Sequence, residues 1–362
     1  FNSCPQGQAG ERMIYQIPEQ LKKLEPYQPI SDQYRIRLDA NESFLSLSTE
    51  ILDQITAAVR EIAFNRYPDP NATKLRTGFA SYYGVQPEHT VVGNGSDELI
   101  NLIEETFLSN GDTILVADPD FSMYTVYARL LKLRVVTLKK SDGYNLDIEE
   151  LLETAARENA KLIIFSNPCN PTGALLSRSQ VRALVERTPA LVVLDEAYMD
   201  FSDQSMIVEA HRHSNLIVLR TLSKAFACAA CRLGFAVASK PLADVLRAAK
   251  SPYNVNTVSQ TIGEILFANP AFIRSAIEKV LLAREFLYEK LSQIETVMGK
   301  PFHALPTATN FVFVESTAAD LIDERLRAQG ICVRKFPERL RISAGSRLEI
   351  LELIDALNTM NE

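Results

Sequence analysis

A lysine that follows hydroxyl residues at the end of an apolar run is the group in this sequence best suited to covalent chemistry. Lys224 closes the word Thr221-Leu222-Ser223-Lys224, directly after the apolar run 216–219. Most lysines are solvated surface charges, but an amine desolvated beside other cations loses its proton near neutral pH and can attack a carbonyl carbon. Arg232 follows eight residues beyond it and is a cation of that kind. Upstream, Asp195-Glu196-Ala197-Tyr198 comes directly after the apolar run 191–194. A carboxylate buried at a strand end is costly unless paired, so Asp195 should face a cation, and that cation could belong to a ligand. A helix N-cap or an internal salt bridge is the plainer alternative.

Two turns accompany this pair. Gly93-Asn94-Gly95-Ser96-Asp97-Glu98 sets two glycines ahead of a helical pattern, and the N–H groups and positive dipole of a helix start suit a phosphate. Taken alone, such a turn is ordinarily only a turn. Ser166-Asn167-Pro168-Cys169-Asn170-Pro171-Thr172-Gly173 follows the apolar run 162–165. It reads as a rigid connection, or as a device in which flanking prolines hold Asn170 so that its amide meets a ligand. All four features fall at the ends of predicted strands, where open α/β sheets bind their ligands.

The elements that must position these groups are legible as short β-rich runs at 90–92, 113–116, 134–138, 162–165, 191–194, 216–219 and 234–237. Helix-period segments at 97–108, 122–131, 147–157 and 177–186 lie between several of them, the last with Ser177 and Gln180 spaced as a capping box. This alternation predicts an α/β fold with a mostly parallel central sheet flanked by helices. After Lys250-Ser251-Pro252-Tyr253 the pattern changes to long helices at 258–267 and 271–291, then to strands at 310–314 and 340–343 around a helix at 318–329. The expected organisation is an N-terminal arm, or part of a small domain, at 1–40, a large domain at 41–252, and a smaller C-terminal α/β domain at 253–362.

Composition excludes several function classes. The 362 residues carry 38 basic and 45 acidic side chains, interspersed, for a net charge of −7, which speaks against a nucleic-acid or membrane-surface partner. No stretch is long and apolar enough for a membrane span, so neither secretion nor insertion is expected. Cys4, Cys169, Cys228, Cys231 and Cys332 are odd in number and scattered, which points to a reducing cytoplasm rather than a disulfide framework. Cys228 with Cys231 invites a redox or zinc reading, but no second cysteine pair or nearby histidine completes four ligands and buried free thiols are the plainer reading; His211 with His213 reads as a surface loop, and no metal is expected.

In chain order, Gly-Ser-Asp (95–97), Asn-Pro-Thr-Gly (170–173), Asp-Glu-Ala-Tyr (195–198), Thr-Leu-Ser-Lys-Ala-Phe (221–226), Arg232 and Leu-Arg-Ile (340–342) resemble the motifs of the fold-type I pyridoxal-phosphate aminotransferases. Leu-Asp-Ala-Asn-Glu (38–42), Arg-Tyr-Pro-Asp-Pro (66–70) and Val-Arg (333–334) narrow the likeness to the histidinol-phosphate aminotransferase branch. The resemblance implies that pyridoxal 5'-phosphate is bound covalently through Lys224, which also moves the proton during transfer of the amino group. It implies that Asp195 pairs with the ring nitrogen and that Asn170 and Tyr198 hydrogen-bond the ring oxygen, with Phe121 stacking on the ring. Gly95, Ser96, Asp97, Ser223 and Arg232 would clamp the phosphate, with a further contact from Thr221. Tyr67 would reach the neighbouring active site of a homodimer. Arg341, assisted by Arg334, would grip the anionic end of either substrate, with Asn170 and Tyr27 also on the substrate side. The implied reaction is transamination between histidinol phosphate and 2-oxoglutarate in histidine biosynthesis.

Two relatives of this pattern would keep the same lysine, aspartate, tyrosine and asparagine: an aromatic amino acid aminotransferase and a threonine-phosphate decarboxylase. Choice among the three would lie in the wall near Tyr15, Tyr27, Tyr253, Asn254 and the two late arginines. A cofactor-sensing transcription regulator would need a DNA-binding domain ahead of the fold, and the residues before Leu38 are not basic. Cys169 stands where the family commonly has Asn, a change expected to have little consequence.

Overall fold

The computed structural model describes residues 15, 16, 22, 30 and 33–361. The chain divides into two units, Phe1–Gln33 and Tyr34–Glu362, and the second contains every strand and helix described here. Strand β1 (Ile36–Leu38) opens it. Strands β2 (Thr90–Gly93), β3 (Thr113–Asp118), β4 (Arg134–Lys139), β5 (Leu162–Ser166), β6 (Leu191–Asp195), β7 (Leu216–Thr221) and β8 (Gly234–Ala238) make a seven-stranded sheet in the order β2-β8-β7-β6-β5-β3-β4. Only β8 runs antiparallel to its neighbours, so the mostly parallel sheet expected from the alternating pattern is present. After a small hairpin, β9 (Thr296–Val297) with β10 (Lys300–Pro301), come β11 (His303–Ala304), β12 (Phe311–Glu315), β13 (Ile331–Phe336) and β14 (Arg339–Ser343). With β1 they form a five-stranded sheet in the order β1-β13-β14-β12-β11.

The continuous apolar runs of the central strands have a physical cause. Along β5, Leu162 and Ile164 enter one core while Ile163 and Phe165 enter another; along β6, Val193 and its neighbours Val192 and Leu194 divide in the same way. Side chains of a strand alternate between faces, so a sheet covered by helices on both sides must be apolar at every position. The covering helices are α1 (Thr49–Arg60), α2 (Thr73–Tyr83), α3 (Ser96–Phe107), α4 (Met123–Leu130), α5 (Ile148–Arg157), α6 (Arg178–Arg187) and α7 (Lys240–Ala249), followed by α8 (Thr257–Ala268) and α9 (Pro270–Ser292). The capping box read at the start of α6 is formed: the Gln180 N–H donates to Ser177 Oγ, and the Ser177 N–H donates to Gln180 Oε1.

The second sheet has its own core, shared with α10 (Ala319–Ala328) and α11 (Arg347–Thr359). Helix α9 belongs to both cores: Ile273 and Val280 pack with the seven-stranded sheet, Leu287 and Leu291 with the five-stranded one. The handover between cores therefore falls inside α9. Strand β1 adds parallel to β13, placing Ile36 opposite Ile331, so the segment just before Asp39 is part of the second sheet.

The loop after β6 is tied to strand β7 by a buried ion cluster. Arg220 lies 2.9 Å from a carboxylate oxygen of each of Glu196 and Asp200, and its guanidinium sits 4.9 Å from the centre of the Tyr83 ring. All three charged side chains are almost fully buried. Arg220→Ala would leave two buried carboxylates without their cation, so unfolding in denaturant should show a loss of about 3–5 kcal/mol.

Candidate active site

The carboxyl ends of β3, β5, β6 and β7 face one rim of the central sheet, because these strands run parallel. Ser166 and Asp195, the last residues of β5 and β6, are register partners. Asp195 is buried; its two oxygens accept hydrogen bonds from Tyr124 Oη at 2.9 Å and from the Ala197 N–H at 3.0 Å. Among the described residues no lysine or arginine pairs with it, and burial pushes its carboxyl up to about 7 against the weaker effect of those two bonds. Among the described residues the internal salt bridge considered from sequence is thus absent, while the demand for a cation remains.

The sign of the resulting pH effect is fixed. The folded-state value lies above the unfolded one, so between about pH 4 and 7 the folded chain holds a proton that the unfolded chain has released, and stability falls as pH rises through that window. In the cofactor-free protein, Asp195→Asn should flatten this decline, as read from denaturant midpoints across the window. An unchanged profile would mean that Asp195 is ionised without cost.

Lys224 lies on the loop after β7. Its Nζ donates to the Ala40 carbonyl at 3.1 Å and sits 5.8 Å from the centre of the Tyr198 ring. The Tyr198 hydroxyl accepts from Asn41 Nδ2 at 2.9 Å. Asn41 is in turn fixed by Ser343 and Asn310: its N–H donates to Ser343 Oγ, and its carbonyl accepts from Asn310 Nδ2. The lysine and tyrosine predicted from sequence are therefore brought together, and the second sheet holds the segment that connects them.

An oxyanion corner stands at the start of α3. Gly95 is the N-cap residue at φ +86°, with Ser96 and Asp97 in the first turn of the helix. Arg232 donates to Asp97 Oδ2 and to Ser223 Oγ, each at 3.2 Å, and Ser223 Oγ also accepts from Thr221 Oγ1 at 2.9 Å. Helix N–H groups, hydroxyls and a guanidinium converge there, the donor set a phosphate takes. The space is made by missing side chains. A Cβ on Gly95 would lie 2.6 Å from the Arg232 guanidinium, and one on Gly234 only 2.3 Å from the Gly95 carbonyl carbon and 2.4 Å from the Ser96 nitrogen. Backbone cannot give way as a flexible side chain does, so Gly234→Ala should lower stability by about 1–3 kcal/mol or more and displace the corner, as checked by thermal unfolding and phosphate affinity.

Asn170 lies in the turn after β5, its Oδ1 accepting from Arg341 at 2.5 Å, while a second Arg341 nitrogen donates to the Asp39 carbonyl at 2.7 Å. The Arg341 guanidinium stands 5.4 Å from the centre of the Phe311 ring. Arg334 is its register partner on β13, so both side chains leave the same face of the second sheet. Phe121 is half-buried before α4, edge-on to Tyr124 with ring centres 5.5 Å apart. Tyr67 is 81% exposed and stacks on Tyr253 at 4.6 Å. Asn254 uses its amide on the Val92 carbonyl and on Glu98. Tyr27 lies outside the described residues.

Sequence reasoning gave no role to Tyr124, Asn41 or the group around Cys169. Lys140, with its side chain almost fully buried, donates to Asp120 at 3.3 Å, to the Pro119 carbonyl at 2.8 Å and to Cys169 Sγ at 2.9 Å. Cys169 is thus an acceptor for a buried ammonium rather than an idle filler. Its unusual place between Pro168 and Asn170 was the available signal.

The sequence pattern of the aminotransferase class I and II family matches residues 35–357. A histidinol-phosphate aminotransferase of Clostridium novyi (strain NT) is 39% identical over 346 residues, covering 94% of this chain and 96% of that protein. One from Thermoanaerobacter pseudethanolicus is 34% identical over 334 residues, 92% and 93% of the two lengths. In structure, the chain superposes on the histidinol-phosphate aminotransferase of Sinorhizobium meliloti, solved in complex with pyridoxal 5'-phosphate, with a TM-score of 0.87, 24% identity, and coverage of 97% and 98%.

Proposed function

The chain belongs to the class I and II aminotransferases, and from that premise we propose that the groups on its sheet rim carry out transamination of histidinol phosphate. It is a pyridoxal-phosphate-dependent enzyme of histidine biosynthesis, passing an amino group between histidinol phosphate and 2-oxoglutarate. The observation that carries the site assignment is the buried carboxylate of Asp195, which has no cation of its own among the described residues. A protonated pyridine nitrogen supplies that cation, and the oxyanion corner supplies a phosphate cradle lined by Gly95, Ser96, Asp97, Thr221, Ser223 and Arg232. The residues present therefore fit the cofactor.

When bound, pyridoxal phosphate contributes a carbonyl that takes up the amino group and a ring that accepts electrons. The protein does the rest. Asp195 would hold the ring nitrogen protonated, and Tyr124 keeps that carboxylate oriented. Lys224 Nζ would hold the cofactor covalently and, when released from it, would serve as the base and acid that moves the proton of the amino-group transfer. Tyr198 and Asn170 would hydrogen-bond the ring oxygen, and Phe121 would cover the ring. Arg341, with Arg334 beside it, receives the carboxylate of glutamate or the phosphate of histidinol phosphate, since a guanidinium can meet either anion with two parallel hydrogen bonds.

Tyr67 projects from its own chain, and its exposure supports a homodimer in which it reaches the cofactor phosphate of the partner subunit. Among the described residues no helix is long and apolar enough to cross a membrane. The scattered cysteines support a cytoplasmic location. The reading is tested by measuring kcat/KM for histidinol phosphate, phenylalanine and threonine phosphate on the cofactor-loaded protein. Histidinol phosphate should be turned over at least tenfold more efficiently than phenylalanine; preference for phenylalanine, or release of carbon dioxide from threonine phosphate, would overturn it.

A further inference from the structure

Cys228 and Cys231 lie on the loop that also carries Lys224 and Arg232. The loop is short and closed at its base: the Leu222 N–H donates to the Leu233 carbonyl at 3.0 Å, and the Cys228 N–H to the Leu222 carbonyl at 3.3 Å. Its tip is the single turn Ala229–Cys231, which brings Cys228 Sγ to 2.9 Å from Cys231 Sγ. Cys228 is buried and Cys231 is half-buried. Arg232 follows at φ +49°, and Ala227 precedes at φ +53°. Both occupy the left-handed region that a Cβ disfavours, so surrounding contacts hold the loop in a strained form.

We propose that Cys228 and Cys231 are a redox-active dithiol, and that closing them to a disulfide loosens the hold of Arg232 on the cofactor phosphate. The inference rests on the cofactor reading above for its second half only. The half-buried Cys231 is the attacking group, because the Cys228 S–H donates to its sulfur and favours the thiolate there. Its thiolate attacks a small disulfide such as oxidised glutathione, forming a mixed disulfide and expelling one glutathione thiolate. The Cys228 thiol then gives up its proton and attacks Cys231 Sγ, expelling the second. Two protein thiols are oxidised by two electrons, one glutathione disulfide is reduced to two thiols, and both protons end on the leaving groups.

The coupling to Arg232 is geometric. A disulfide brings its sulfurs to about 2.05 Å, closer than the 2.9 Å of the dithiol, so closure tightens the turn that leads into Arg232. Arg232 is bonded to Asp97 and Ser223 at 3.2 Å and to the Ala229 carbonyl at 3.4 Å, all at the long end of the hydrogen-bond range. Tightening of the adjacent turn strains these long bonds, and the guanidinium is then held less firmly in the corner it shares with Gly95.

The test begins on cofactor-free protein treated with oxidised glutathione, alkylated and cut with trypsin. Cleavage after Lys224 and Arg232 leaves both cysteines in one peptide, 225–232. That peptide should escape alkylation and run about 2 Da below its dithiol mass. Pyridoxal phosphate titrated into the oxidised protein should then bind on the order of ten- to a hundredfold more weakly than into the reduced protein. Reduction should restore the affinity, and Cys231→Ser should make it insensitive to oxidant. A peptide that stays fully alkylated in excess oxidised glutathione overturns the redox pair, and a disulfide that leaves affinity unchanged overturns the coupling. Reduced protein that binds no pyridoxal phosphate would overturn the cofactor reading and the coupling with it, while the peptide result stands apart because it is read without cofactor.

Discussion

Lys224→Ala should lower kcat for transamination by at least on the order of 10⁴, and the visible absorbance of lysine-linked cofactor should vanish with it. The size of the effect follows from the two tasks the amine performs, covalent attachment and proton transfer, neither of which alanine can share. Fold stability should hardly change, because the Lys224 ammonium makes one hydrogen bond, to the Ala40 carbonyl, and no ion pair among the described residues. Lys224→Arg separates charge from reactivity: the positive charge stays, the titratable amine goes, and activity should stay lost. Added methylamine should restore part of the rate to the alanine variant, with a dependence on amine basicity that a merely structural lysine would not produce. Substantial turnover by Lys224→Ala without added amine would mean that another group moves the proton.

The chemistry of this chain was more legible than its scaffolding, for a physical reason. Lys224, Asp195, Tyr198, Asn170 and the 93–98 turn all fall at ends of strands buried on both faces, so each is announced by an unbroken apolar run followed by an out-of-place polar word. Helices α1 and α2 carry no such signal. Helix α1 buries only Ile51, and its Ser48 cap stands before a run of mixed residues. Strand β1 is three residues long, too short for alternation to show, yet it adds to the edge of the second sheet just ahead of Asp39 and Asn41. Strand β13 is buried at one end and half-exposed at the other, and its role depends on Arg334 pairing with Arg341, a relation set by register rather than by local pattern. The second-sheet contacts to the site, Ser343 and Asn310 on Asn41 and Arg341 on Asn170, join residues far apart in sequence, and no local reading of spacing reaches that far. Tyr124 was hidden differently: its ring is buried like any core aromatic, and only its hydroxyl, 2.9 Å from Asp195, ties it to the candidate site.

Arg341→Ala should reduce kcat/KM for glutamate and for histidinol phosphate together, by about 3–6 kcal/mol or on the order of 10²–10⁴-fold, the worth of two charge-assisted hydrogen bonds. The guanidinium already shows how it would bind. Two of its nitrogens donate at 2.5 Å and 2.7 Å, to the Asn170 amide oxygen and the Asp39 carbonyl, and the Phe311 and Phe336 rings flank it at 5.4 Å and 6.0 Å. An incoming carboxylate or phosphate meets donors that are already oriented, at a point where the second sheet touches the turn after β5. Because the same guanidinium positions Asn170, part of the loss should appear in kcat as well as in KM. Arg341→Lys keeps the charge but not the paired donors, so it should recover only a minor share. Arg334→Ala, on the same face but one strand away, should cost less than Arg341→Ala with either substrate. The decisive comparison is between substrates: a single anion site predicts parallel losses for carboxylate and phosphate, and a variant impaired toward only one of them would show that the two anions are held by different residues.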